Sequence, residues 1–365
     1  MADLLTARAL NRATLDRQLL LGRHPLPAQQ AVAHLAGLQA QAPLAPYTGL
    51  WTRIENFNPE DLSTLLTERT LVRAHLYRNT VHLLTAEDYL DFRPLFAQLG
   101  ERGMQAHFGK RLTGVDPAEL RARARQLMAG RPLSRAALGK ELAATWPDIE
   151  PAALAYGASY LLPLIQTPPR GIWGQTGQAT FALADEWLRR PVSAEPDPDA
   201  VGRLVLRCVA AFGPMTVADI QTWSGLTRLR EVTERLGERL RSFRNEDGAE
   251  LLDLPDAPRP DPDTPAPPRF LPVYDNLLLS HADRRRVIPH SRPVPLPPGN
   301  GSTQGTLLID GHWNGTWRIG PGILDIGPFV PLSSANVDAI TAEGAALLAF
   351  AGVEAEVRVG GTTAR

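Results

Sequence analysis

Leucines at 15, 19 and 20 stand among charged residues between Leu4 and Leu20, a spacing that predicts an amphipathic first helix closed by Gly22. Pro27 to Leu38 predicts a second helix. Pro27 falls in its first turn, where a missing N–H does no harm, and Val32, Leu35 and Leu38 mark the buried stripe. Gln39 continues that stripe, four residues after Leu35 and seven after Val32. Residues two apart on a helix are separated by about 200°. Gln39 and Gln41 can therefore face one small volume only if the helix ends between or at them, and Pro43, which disfavours a helical Ala42, predicts that ending. A third helix opens at Asn58-Pro59, a capping residue followed by proline at the first helical position, and carries Leu62, Leu65 and Leu66.

The period then changes from that of a helix to that of a strand. Val72, Ala74 and Leu76 alternate with Arg73, His75 and Tyr77, and Thr80-Val81-His82-Leu83-Leu84 follows the turn at Arg78-Asn79. Asn79 suits the left-handed conformation of a tight turn, and Thr85 to Asp88 predicts a capping box for the next helix. Helices followed by a hairpin make a winged-helix pattern, and it recurs. In the second copy Gly130 to Ser134 opens a short helix through Leu142, Pro151 to Ile165 is the next helix, and Gly171 to Phe181 supplies the wing. In the third, Gly213 to Thr216 opens Val217–Trp223, Arg228 to Leu240 follows, and a hairpin to Leu254 turns at Asn245 to Gly248. Pro191 to Pro198 and Asp253 to Pro268 read as proline-rich linkers. From Arg269 the character is β, with strands at Thr306–Ile309 and Thr316–Ile319 flanking a tip from Asp310 to Gly315, before a helix from Asn336 to Phe350. A tryptophan at such a tip either folds back onto the sheet or serves as a wedge or stacking platform. The expected class is α+β, mainly α. Winged-helix modules span 1–115, 116–195 and 196–256, and a β-rich C-terminal domain spans 257–365.

Composition narrows the function. With 38 basic and 39 acidic residues among 365, the chain does not read as an indiscriminate coat for nucleic acid, although a local basic groove remains open. Lys110 and Lys140 are the only lysines, so the positive charge is nearly all arginine, which suits forked phosphate contacts and equally suits GC-rich codon usage. No apolar run approaches the ~18 residues of a membrane span, and charges at Asp3, Arg8, Arg12, Asp16 and Arg17 interrupt any secretory-signal core, so a cytoplasmic location is expected. The single cysteine, Cys208, reads as a buried hydrophobe among Val205, Leu206 and Val209.

The chain carries no phosphate-binding glycine loop, no GxGxxG after a strand, no HExxH and no zinc-type cysteine pair, and its eight histidines show no ligand spacing; no metal or cofactor is expected. Ser280-His281-Ala282-Asp283 is an unconvincing triad, because triad members converge from separate elements. By themselves Gln39 and Gln41 also suit a polar helix end whose amides bond nearby carbonyls, and tandem winged helices by themselves suit a DNA-binding regulator without catalysis, or a plain scaffold.

Four motifs in order, Gln39-Ala40-Gln41, Arg78-Asn79-Thr80-Val81-His82-Leu83, Tyr274 to Arg284 and Asp310-Gly311 through Gly315-Thr316-Trp317, make the chain resemble the AlkZ-like bacterial DNA glycosylases nearly end to end. The resemblance implies three tandem winged-helix units and a β-rich part forming a C-shaped cleft for duplex DNA. It implies a catalytic pair at Gln39 and Gln41, and DNA contacts from His312, Trp313 and Asn314 with Arg73, Arg78 and His82 as further candidates. A broader-specificity branch carries aspartate in the second catalytic place. Glutamine here implies the branch tied to self-resistance against DNA-alkylating natural products, including azinomycin-type crosslinkers, with alkylated guanine in double-stranded DNA as the substrate of a monomer. Asn79 departs from the glycine expected in that hairpin.

Overall fold

The computed structural model describes residues 3–289 and 304–360, so the parts of the expected C-terminal domain at 290–303 and 361–365 lie outside the described residues. The fold is α+β, and the chain packs as two compact units. One comprises residues 1–57, 205–223 and 228–365, and the other residues 58–204 and 224–227. The segment expected as the first module is thus shared between them.

The first unit holds a five-stranded sheet in the order Arg269–Leu271, Gly305–Ile309, His312–Gly320, Ile323–Pro328 and Glu356–Val359. Its first four strands run antiparallel; the last pairs parallel and is reached through the helix Ser334–Ala351, as a parallel neighbour requires a crossover. Ser333 caps that helix and Gly352, at φ 64°, ends it. Phe270, Leu307, Leu324, Ile326, Ile340 and Leu347 fill the layer between helix and sheet. A second cluster gathers Leu15, Leu20, Leu271, Leu277, Leu308 and Trp313.

The N-terminal segment differs from its sequence pattern. Asp3–Leu5 is a strand, pairing in parallel with Arg241–Asn245, and the helix runs only from Ala7 to Arg17 behind the Thr6 cap. It is not simply amphipathic, because Asn11, Arg12, Thr14 and Arg17 are buried with its leucines. Asn11 donates to the carbonyls of Arg286 and Gly311 at 2.7 and 2.9 Å, and Arg17 pairs with Asp253 at 2.6 Å while also reaching the Pro258 carbonyl. Arg12 bonds the Thr264 carbonyl and Asp310. These contacts also correct the linker reading: the proline-rich stretch from Asp253 is tied along the first helix. Cys208 is buried, with its sulfur 3.5 Å from that of Met215.

In the second unit five strands pair antiparallel in the order Val81–Thr85, Leu71–His75, Leu164–Thr167, Thr180–Leu183 and Leu133–Ser134. The Leu71–Thr85 hairpin forms as its alternation predicts, and both Arg78 and Asn79 adopt left-handed φ, at 50° and 56°. Asn58 and Thr85 cap their helices through side-chain oxygens. The core gathers Leu120, Met128, Leu138, Leu154, Leu161 and Leu183.

Candidate active site

The helix before the glutamines stops earlier than its apolar stripe. It spans Ala28–His34, with Pro27 at the cap. Leu35 N–H bonds the Ala31 carbonyl, and Gly37 N–H closes back onto the Val32 carbonyl at 2.9 Å. Ala36 and Gly37 take φ of 53° and 93° to make that reversal, a conformation in which only glycine is at ease. Leu38–Gln39 is then extended. Gln39 is therefore not on a helical stripe: it ends a two-residue strand, Ala40 beside it is fully buried, and Gln41 stands in the bend that follows. Gln39 is 9% exposed and Gln41 half-buried. The segment ends where the chain turns into the helix Ala45–Trp51.

What fixes this stretch comes from far along the chain. Asn276 Nδ2 donates to the Gly37 carbonyl at 3.3 Å, at the residue where the chain leaves the helix. Its neighbour Asp275 caps the short turn Asn276–Leu278 and pairs with the fully buried Arg53 at 2.9 Å; Arg53 in turn donates to the carbonyls of Gly49 and Gln18. The buried guanidinium is thus matched by three acceptors, whereas the carboxylate is bonded through Oδ1 alone, from Arg53 and the Leu277 N–H. Asp275 and Asn276 belong to the Tyr274 to Arg284 motif, but the motif does not reveal this supporting role. Nothing local signals it, since the contact spans 239 residues.

The expected DNA contacts divide. Arg73 is 2% exposed and donates through Nε and Nη2 to Gln166 Oε1 at 3.0 and 2.9 Å. His82 is fully buried, its Nδ1 3.0 Å from the Thr80 carbonyl oxygen and its ring edge-on to Tyr77, and burial pushes its pKa down to about 3. Both are corrected to core side chains, because the two strands of this hairpin are buried on both faces. Arg78 remains half-buried in the turn.

The C-terminal hairpin also turns sooner than predicted, at Asp310-Gly311 alone, with φ of 46° and 77°. His312, Trp313 and Asn314 lie in the strand, not at the tip. Trp313 folds inward, donating Nε1–H to the Gly315 carbonyl at 2.9 Å and meeting Phe329 edge-on, so it offers no exposed ring. His312 and Asn314 are half-buried. The tip itself is docked on the first helix through Asp310 to Arg8 and Arg12 and the Gly311 carbonyl to Asn11, which corrects the picture of a free probing hairpin. Ser280 bonds the Asn276 carbonyl and His281 the Phe212 carbonyl, so no triad forms.

A family model described as "DNA glycosylase AlkZ-like" matches residues 32–350. The chain belongs to the AlkZ-like DNA glycosylase family. Streptomyces sahachiroi DNA glycosylase AlkZ, a solved structure, superposes with a TM-score of 0.75 over 98% of this chain and 100% of its own, at 20% identity, a likeness of fold. Among curated proteins none matches. As a member of the AlkZ-like family the protein is a hydrolase acting on DNA. Among the described residues no helix is long and apolar enough to cross a membrane, and no group of three or more histidine, cysteine, aspartate or glutamate side chains could hold a metal.

Proposed function

We propose that the protein is a monofunctional DNA glycosylase that hydrolyses the N-glycosidic bond of N7-alkylguanine in duplex DNA, with Gln39 and Gln41 as its catalytic pair. The observation that carries this reading is the Gln39-Ala40-Gln41 motif at the end of a short strand, Gln39 in the strand and Gln41 half-buried in the bend after it, with Ala40 sealed in the core between them, in a chain of the AlkZ-like family. Alkylation at N7 leaves the purine cationic, so its departure needs no protonation, and the deoxyribose passes through a cation-like transition state. A strong base is then unnecessary. Two amide oxygens orient one water at C1′ and set partial negative charge beside the developing cation. Neither lysine, Lys110 or Lys140, is near the pair in sequence, which favours hydrolysis over an imine-forming route.

Bulky or crosslinked adducts from a DNA-alkylating natural product are the substrates this reading favours. Such bases do not fit a tight extrusion pocket, and three winged-helix modules at 1–115, 116–195 and 196–256 around a C-shaped cleft, with the domain from 257, would admit them to a monomer in the cytoplasm as self-resistance repair. Arg78, His312 and Asn314 remain as DNA contacts; the buried indole of Trp313 does not. Incubation with methylated, bulky monoadduct and crosslinked duplexes tests the proposal. Free alkylguanine and abasic sites are expected. No release from any N7 adduct would overturn it, and a sequence-dependent footprint on unmodified DNA would point to a regulator instead.

A further inference from the structure

The second unit contains a pocket that the Gln39 and Gln41 chemistry does not use. It encloses about 30 Å³, and its wall includes Arg73, His75, Asn79, Arg93, Arg135 and Gln166. That is room for a small ion or one or two waters and far too little for a base. Its chemistry is one-sided. Arg135 lies with its guanidinium 4.5 Å from the Phe181 ring and 4.8 Å from that of Tyr156, and donates Nε–H to Ser159 Oγ at 3.3 Å. Arg93, 9% exposed, donates to the Leu162 carbonyl at 3.4 Å and lies beside the Tyr89 hydroxyl, a neutral neighbour. Neither makes an ion pair with any carboxylate among the described residues, whereas surface arginines of the same unit, such as Arg203 and Arg125, do. Gln166 gives its oxygen to Arg73, which leaves its amide N–H groups for the pocket. The local field acts on His75 as well: burial, then Arg135 and Arg93, push its pKa down to about 4.

Two guanidinium groups and a side-chain amide around a small cavity with no acid form a donor set that an oxyanion completes. Arg135, with Nε bonded to Ser159 and Tyr156 as a neutral hydroxyl partner, still carries N–H groups that no carboxylate takes up, and a guanidinium suits such a group. We infer that this pocket binds a phosphate group, either a phosphodiester of the DNA backbone or free inorganic phosphate. The pocket is lined by residues of the second unit alone and Gln39 and Gln41 belong to the first, so phosphate binding can be measured whether or not any base is released.

The test uses the full chain titrated with inorganic phosphate against potassium chloride of matched ionic strength, followed by calorimetry and thermal unfolding. Saturable one-to-one binding and a raised unfolding midpoint are expected for the wild type, with binding weakened at least about tenfold by Arg135→Gln and by Gln166→Glu. Gln166→Glu puts a carboxylate into the pocket while keeping an acceptor for Arg73, so an unchanged midpoint without phosphate separates lost binding from lost folding. The slope of log K against log salt for duplex DNA then identifies the source: a fall of about one unit in both variants marks a backbone phosphodiester, and an unchanged slope marks free phosphate. No phosphate response in the wild type together with unchanged DNA slopes overturns the inference, as does phosphate binding that both variants retain.

Discussion

Gln41 does its proposed work as a neutral carboxamide, with an oxygen to steer water and no charge to be titrated. Gln41→Ala removes that oxygen and leaves a side chain the bend tolerates. Single-turnover release of alkylguanine is expected to slow by about 100-fold, with the affinity for the same duplex changed less than about threefold. A loss of affinity equal to the loss of rate would make Gln41 a binding residue. The buried histidines give a second prediction. His82 and His281 have folded pKa values pushed down to about 3, chiefly by burial, against 6.5 when exposed. Between those limits the unfolded chain binds more protons than the folded one, so the stability contributed by these neutral histidines is full above pH 6.5 and is lost progressively as pH falls towards 3. Urea midpoints at pH 7, 6 and 5 check this, and His82→Gln should flatten the decline if the protein folds. The identity of the glutamines was legible in the chain; the burial of Arg73 and His82 was not, because alternation along a strand cannot tell a solvent-facing side from one covered by another layer.

At the scale of elements, the decisive event is the end of the helix Ala28–His34. The apolar spacing of Val32, Leu35 and Leu38 fits a longer helix, and it took the positive φ at Ala36 and Gly37 to convert a helical stripe into a pleat. Gly37 was the available signal. Gly37→Ala is expected to cost about 1–2 kcal/mol in stability, since the left-handed region is unfavourable for a residue with a Cβ, and to slow base release more than it weakens DNA binding by re-aiming Gln39. The hairpin shows the converse. Asp310-Gly311 is a strong turn dipeptide, yet the second glycine, Gly315, suits a longer tip from Asp310 to Gly315, and the strand instead resumes at His312. A Cβ on Gly311 would sit 2.4 Å from Leu15 Cδ1 and 2.6 Å from Asn11 Oδ1, so Gly311→Ala should lower stability by about 2 kcal/mol in denaturant melts; an unchanged midpoint would mean that the tip is not docked.

At the scale of the molecule, the first unit is organised by polar groups that a local reading assigns to the surface. Arg17 and Asp253 are buried together, 236 residues apart, and Arg259 shares the carboxylate. Arg17→Met should destabilise by about 3 kcal/mol, read as a shift in the urea midpoint, because it leaves Asp253 buried with one cation in place of two. The sequence by itself determined the local elements: the capped helices, the Leu71–Thr85 and Arg241–Asp253 hairpins, the terminal helix, and the glutamine motif that marks the family. Those follow from contacts within a few residues, such as caps, turn dihedrals and the period of apolar positions. Tertiary structure alone decided which polar side chains are interior, where the proline-rich stretch lies, and that Asn276 holds the carbonyl beside the glutamines. A buried guanidinium or amide is stable only beside the particular carbonyl or carboxylate that meets it, and those partners arrive from hundreds of residues away.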